Sequence, residues 1–520
     1  MPEHLRALVV ILGLAVPVFW IAQRVLCPSV IDVRDFVRRR NLWFGITLAA
    51  FLSHNYWLFL AISTVLMLWG ASPQRERNPM ALFFFLLFAV PAFKGALPGL
   101  GIFQHLFEVN HPRFLALFIL LPAAMRLSRE PSAPRLGRYA ADWFLMGYLL
   151  LQVVLYFAAT TLTQTMRAGF YLVVDMLLLY YVASRSVVDL RGFRDVAGSL
   201  GVALMVVAPI AVFEFLKHWL LFSPLTAALG LYWDAGTYLG RDDLLRAMGP
   251  AGHALVLGYA LAVGLGFWMY LHRTLPTGVW WVGAVVLFAG LIAPVSRGPW
   301  VGAALIVIVA VATGQNAAPR IMKLILAGAG IALLLALTPY GEKFLEYLPF
   351  VGSVDEGNVS YRKRLFDVSL MVIAQNPLLG SPTFLSNSTM EQMRQGQGII
   401  DLVNSYLAIA LSSGLIGLFL FSAIFVASFV GVYRAMGRNL FESNETELLG
   451  RSLLAVLLGV LVMIATVSSI LVIPIIYWSV AGLSVAYSAM ALNNPVENDF
   501  PKEEIKRSMF FTKSLGTKQA

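Results

Sequence analysis

Residues 403–433 read VNSYLAIALSSGLIGLFLFSAIFVASFVGVY, thirty-one residues without a charged side chain. A bilayer core about 30 Å thick needs about 20 apolar residues of helix, so this stretch can cross one with residues to spare. In lipid only helices and closed barrels satisfy their own backbone polar groups. Barrel strands alternate apolar and polar residues over about ten positions, whereas this run is unbroken. It therefore predicts a membrane helix. The remaining sequence follows suit: of 520 residues, 59% are hydrophobic and 13% charged, with a mean hydropathy of +0.76. Soluble domains carry about 25% charged residues. This composition excludes an ordinary soluble enzyme and a disordered chain, and the single cysteine, Cys27, excludes an intrachain disulfide.

Apolar segments recur from 5–22 to 474–491, including 41–53, 79–95 and 112–127. They predict an all-α polytopic integral membrane protein of about 13–15 transmembrane helices. Ser53, His54 and Asn55 interrupt one long apolar stretch and predict a tight hairpin. With Arg24, Arg34, Arg38, Arg39 and Arg40 placed in the cytoplasm, strict alternation puts most of the 38 basic residues on that side. The net charge of +10 then reflects this bias and contact with the anionic lipid bilayer, not nucleic acid. The N-terminal apolar run lacks a small-x-small cleavage site and reads as an uncleaved first span. The chain divides into N-terminal helices (1–200), core helices with an outer loop at 217–249 (201–338), a long extracytoplasmic loop (339–402), C-terminal helices (403–491) and a cytoplasmic tail (492–520). Long ordered loops are usually functional, so 217–249 and 339–402, both on the outer face, are expected to carry the chemistry.

Arginine marks that face. Arg297, in PVSRGPW, follows Ser296 between two spans. Pro294, Gly298 and Pro299 break the helix around it, and a helix start beside a guanidinium suits an anion. Arg246 opens RAMGPAGH, which ends in His253 at the start of the next span. Histidine there is either a boundary residue bonded to backbone or an acid–base group. Tyr361, Arg362, Lys363 and Arg364 form a third cluster. Asp401 and Asn404 precede a span, where either also serves as a helix cap. No Walker loop, dinucleotide fingerprint or histidine–cysteine cluster occurs. No cofactor and no metal are expected, and any phosphate is expected to be neutralised by arginine.

The order Arg246–x–x–Gly249…His253, Ser296–Arg297, Tyr361–Arg362, NPLLG at 376–380 and Asn404–x–Tyr406 followed by SSGLIGLF at 412–419 resembles the O-antigen ligase and Wzy-type polysaccharide polymerase superfamily. The resemblance covers roughly 200–433. It implies a GT-C-like, metal-independent glycosyltransferase of the bacterial inner membrane with its active site facing the periplasm. Donor and acceptor would be saccharides linked to undecaprenyl diphosphate, and a chain-length regulator is a possible partner. Arg246, Arg297 and Arg362 would contact diphosphate or acceptor. His253 and Tyr361 would line the site, with Arg364, Ser296, Asn404 and Tyr406 as further substrate contacts. Ligases of the superfamily carry histidine immediately before the asparagine that is Asn404 here, and this chain has Val403. Asp401 or His253 is left as the candidate base. That departure favours an exopolysaccharide, capsule or O-antigen polymerase over a ligase that transfers finished glycan to lipid A core. A flippase for lipid-linked sugars is the reading from another class, and the lack of matching halves counts against it.

Overall fold

A computed structural model describes residues 1–71, 75–98, 105–231, 240–241, 244–314, 316–336, 356–394, 400–437 and 444–493. The fold is a helical bundle. Its first part comprises α1 (Glu3–Leu26), α2 (Val33–Leu52), α3 (Tyr56–Gly70) and α4 (Pro79–Leu86), then a small hairpin of β1 (Gly95–Pro98) and β2 (His105–Val109). Helices α5 (His111–Leu115) and α6 (Leu121–Arg129) follow, joined by a π turn, then α7 (Ala140–Ala159), α8 (Leu162–Leu172), α9 (Leu178–Ser186) and α10 (Leu190–Lys217). After α11 (Ser223–Ala228) and the two-residue strands β3 (Gly240–Arg241) and β4 (Leu244–Leu245) come α12 (Ala254–Tyr270), α13 (Thr277–Ile292), α14 (Arg297–Ala312) and α15 (Ala317–Ala336). The chain continues through α16 (Glu356–Gln375), α17 (Ser388–Glu391), α18 (Ser405–Gly437), α19 (Asn444–Ile464) and α20 (Ile473–Asn493).

Among the described residues, eight helical stretches have the length and apolar character to cross a membrane, and three shorter apolar helices accompany them. The protein is thus an all-α polytopic membrane protein. Several expected boundaries move for local reasons. The span expected at 41–53 begins eight residues earlier, because Asp32 accepts from the Arg34 amide and caps a helix that takes in the arginine cluster. The expected 79–95 span stops at Leu86, and the chain turns into the β1–β2 hairpin. The expected 112–127 span is a helix with a π turn in its middle. The 53–55 hairpin is present, with Asn55 capping α3 through the Leu58 amide. Of the long loop expected at 339–402, residues 356–394 and 400–402 are described and contain α16 and α17; the tail from 494 onward lies outside the described residues.

Burial separates the centre of the bundle from its lipid-facing rim. The apolar windows of α12 and α20 are each 89% buried, whereas those of α1, α7 and α18 are 33% buried. On α13, Trp281, Val282, Val285 and Phe288 are exposed on one face, as expected for a helix whose outer side meets hydrocarbon. At one end of the bundle, buried and half-buried ion pairs tie distant segments. Arg39 lies between Glu76 (2.7 Å) and Asp195 (2.5 Å), Arg185 meets Asp142 at 2.6 Å, and Arg194 meets Glu445 at 2.5 Å. Removing one member of the buried Arg39–Glu76 or Arg185–Asp142 pair strands a buried charge at a cost of about 3–5 kcal/mol.

Helix α18 is two helices. Gly414 has φ 64° and ψ −169° in its interior. The ring of Tyr406 lies 6.3 Å from that of Phe421, although a continuous helix would separate residues fifteen apart by about 22 Å. The chain therefore runs up from Ser405 to Gly414 and turns back down. The broken ends are closed by the 376–381 loop. Ser381 N–H donates to Leu411 O (2.8 Å), Leu415 N–H to Pro377 O (2.8 Å) and Ile416 N–H to Leu378 O (3.2 Å). The approach is too close for side chains: a Cβ on Gly414 would stand 2.2 Å from Leu378 O, and one on Gly380 (φ 60°) 2.5 Å from Gly414 N. Gly414→Ala is therefore expected to lower the unfolding midpoint in detergent, through strain of about 1–3 kcal/mol plus the lost bonds. Gly169→Ala, where a Cβ meets nothing within 4 Å, serves as the control and should leave the midpoint unchanged or raise it.

Candidate functional site

The arginine end of the site is built where α13 stops and α14 starts. Pro294 ends one helix, Val295 adopts φ 48°, and Ser296 stands at the N-cap of α14. A positive φ at a β-branched residue is a genuine outlier, and such strain clusters at functional sites. Arg246 reaches into this turn: its Nε donates to Pro294 O (3.1 Å) and its Nη2 to Ser296 Oγ (2.9 Å). Arg246 is thus hydrogen-bonded to the residue that precedes Arg297. Helix α12 packs against the same turn, with Gly258 so close that a Cβ would lie 2.9 Å from Pro299 Cβ.

His253 caps α12, its Nδ1 accepting from the Leu255 amide at 3.2 Å. A ring nitrogen that accepts carries no proton, so Nε2 carries it and can donate. Burial and, secondarily, the positive charge of Arg246 push the imidazole down to about 4. His253 thus bonds backbone, as the boundary reading expects, and keeps a neutral ring beside Arg246. The neutral ring points to a hydrogen-bond donor in preference to a base.

One carboxylate went unnoticed in the sequence. Glu214, near the end of α10, is 1% exposed. Its Oε2 accepts from Met248 N (3.0 Å) and Gly249 N (2.8 Å), and its Oε1 from Leu221 N (2.9 Å). It pins the loop that carries Arg246 and His253. The signal was available: a lone acid in the apolar run VVAPIAVFEFL is costly in a membrane unless it has work to do.

The second half of the site forms around residues 400–406. Asn404 Oδ1 accepts from Tyr406 N (2.9 Å) and Leu407 N (3.2 Å), so capping accounts for it. Asp401 does not cap. Its Oδ1 accepts from Ser468 Oγ at 2.9 Å. Tyr406 donates to Leu461 O (2.9 Å) and Tyr361 to Asp401 O (3.2 Å). The 465–472 turn joins the two halves. A Cβ on Gly298 would lie 2.9 Å from Thr466 Oγ1, Ser405 donates to Val467 O (2.8 Å) and Ser469 to Ser405 Oγ (2.7 Å).

Arg246, His253, Ser296 and Arg297 thus gather on one side of this turn, and Tyr361, Asp401, Asn404 and Tyr406 on the other. Arg362 and Arg364 are exposed on α16 next to Tyr361, on the Asp401 side. Since Tyr406 is level with Phe421, seven residues past Gly414, this assembly sits about 10 Å below the top of α18. In this recess Arg246 and the segment that carries Arg297 stand on one side, and Asp401 stands on the other with Arg362 and Arg364 of α16.

Two measurements test this geometry. Glu214→Gln replaces a three-fold acceptor with one acceptor and an amino group that opposes a backbone donor. Hydrogen exchange at Met248 and Gly249 is expected to speed up about tenfold or more, from a loss of about 1–3 kcal/mol. Unchanged exchange would show that the carboxylate does not hold the loop. In an NMR titration His253 is expected to stay neutral at pH 5, since burial and a cationic neighbour both disfavour its protonated form, and Arg246→Ala should raise its midpoint. A midpoint near 6.5 in the wild-type protein would contradict the placement.

No relative among curated proteins matches the chain. Residues 282–422, which run from α13 through the Arg297 turn, α16, the 376–381 loop and both arms of the α18 hairpin, match the family model described as O-Antigen ligase, in agreement with the superfamily that the ordered motifs resemble.

Proposed function

We propose that this protein is a membrane glycosyltransferase that polymerises undecaprenyl-diphosphate-linked repeat units into an exopolysaccharide, capsule or O-antigen chain at the periplasmic face of the inner membrane. The observation that supports the reading is that the 465–472 turn touches both segments: Thr466 meets Gly298, next to Arg297, and Ser468 bonds Asp401, while Arg246 bonds Ser296. A reaction in which a diphosphate leaves from an anomeric carbon needs both: positive charge where negative charge develops, and an acceptor for the proton of the attacking hydroxyl.

In this scheme Arg246 and Arg297, with Arg362 and Arg364 from α16, hold the diphosphate. Preorganised cations aimed at a leaving group are usually the largest catalytic term, and they neutralise it without a metal. The acceptor hydroxyl of the next repeat unit attacks the anomeric carbon, and the bond from that carbon to the diphosphate oxygen breaks. The hydroxyl proton passes to Asp401, whose other partner is the Ser468 hydroxyl. His253 donates from Nε2 to a phosphate or sugar oxygen. Tyr361 positions Asp401 through its backbone carbonyl. Undecaprenyl diphosphate is the leaving group, and the glycan is longer by one repeat unit.

The family description favours a second reading, a ligase that transfers the glycan to lipid A core. Val403, in the place where such ligases carry histidine, weighs for the polymerase. The two differ in what accumulates on loss of function. Arg297→Ala and Arg246→Ala are each expected to cut polymer by at least a hundredfold, with normal protein in the membrane, because one lost charge-stabilising donor costs about 10²–10³ in rate. Single lipid-linked repeat units should accumulate. Accumulated lipid-linked polymer would assign the ligase, and normal polymer from both variants would refute the site.

A further inference from the structure

Above the recess, the loop that closes the α18 break forms a groove of about 210 Å³ between the end of α16 and α17. Its polar lining is Gln375, Asn376, Ser381, Thr383, Ser386 and Asn387, and its floor includes Phe384 and Leu411. None of the lining residues is charged, in a chain of net charge +10 whose α16 carries Arg362, Lys363 and Arg364 two to three turns earlier. A diphosphate finds no counter-charge here. We propose that the groove is a saccharide subsite that holds one neutral pyranose of the glycan, remote from the bond being formed.

The chemistry fits a sugar ring. Amides and hydroxyls both donate and accept, which a ring bearing several hydroxyls requires. The groups are held in register by their own bonds: Asn387 Nδ2 donates to Gln375 Oε1 at 2.9 Å, and the Ser381 and Thr383 hydroxyls lie 3.1 Å apart. Asn387 Oδ1 is used by the Thr389 amide (2.9 Å). These bonds leave the Gln375 amino group, the whole Asn376 amide and the hydroxyl lone pairs facing the groove. Phe384 and Leu411 lie below, buried in a small apolar cluster with Leu365, Val372, Met390 and Met393, and offer the C–H face of a ring an apolar floor. A cavity of about 150 Å³ admits a benzene-sized ring, so the groove accommodates one sugar ring with its substituents.

Position gives the groove its role, and this step rests on the polymerase reading. Helix α16 rises from Tyr361, which touches Asp401, to Asn376 at the lip of the groove. Fifteen residues of helix span about 22 Å, several sugar rings from the reacting carbon. Contacts made there anchor the glycan without entering the chemistry, and binding energy from such remote parts positions the reacting end.

The full-length protein in lipid nanodiscs is the material for the test, and two probes separate the sites: oligosaccharide repeat units released from the host's surface polysaccharide by mild acid, and undecaprenyl diphosphate without sugar. Asn376→Ala combined with Thr383→Ala removes side-chain hydrogen bonds worth about 1 kcal/mol each. Oligosaccharide affinity is expected to fall about tenfold or more, and Ser386→Trp, which fills the groove, should do the same. Affinity for undecaprenyl diphosphate should stay unchanged in all variants. Unchanged oligosaccharide affinity in both variants, or equal loss for both probes, overturns the subsite. Polymer synthesis by the wild-type protein is scored separately, so failure of the polymerase reading and failure of the subsite give different results.

Discussion

The backbone of a membrane helix has to satisfy its own polar groups, and α18 breaks that rule at Gly414. The break leaves amides and carbonyls of residues 411–416 without helical partners, in a place where an unpaired group costs several kcal/mol. The 376–381 loop supplies them through three backbone hydrogen bonds. That exchange fixes the rest of the site. It folds the first arm of α18 back beside the second, sinks residues 400–406 below the rim, and ties α16 to the bundle at its far end.

The two halves of the recess are held by unlike means. The arginine wall depends on a strained turn at Val295 and on Glu214, which gathers three backbone amides from beneath. The carboxylate wall depends on hydroxyls: Ser468 on Asp401, Ser469 on Ser405, Ser405 on Val467. Neutral hydroxyl networks of this sort orient a carboxylate without cancelling its charge. An ion pair there would have spent the negative charge that a base needs, and the buried Arg39 and Arg185 pairs lie elsewhere in the bundle.

Legibility of the sequence varied with the range of the physics involved. The membrane class, the 53–55 hairpin and the capping role open to Asn404 follow from apolar run length and from side chains that bond backbone two or three residues away. The arginine positions were legible because charges beside helix breakers are expensive in a membrane. Glu214 was conspicuous as an acid in an apolar run, but its role was not legible, because the loop amides it holds at 248–249 lie more than thirty residues away. The long apolar run of 403–433 concealed the α18 hairpin, since SSG is uncharged and too short to divide the run.

By itself, then, the sequence determined that this is a polytopic helical membrane protein, and it marked Arg246 and Arg297 beside helix breakers, and Asp401 and Asn404 before a span, as candidate site residues. Hydropathy and charge are properties of single residues and short windows, so they survive in one dimension. Only the tertiary structure decided that the segments carrying Arg297 and Asp401 meet at the 465–472 turn, that NPLLG completes a broken helix, and that an uncharged groove opens above them. Each of those depends on a contact between segments 30 to 170 or so residues apart, and no local pattern encodes which distant partner a group will meet.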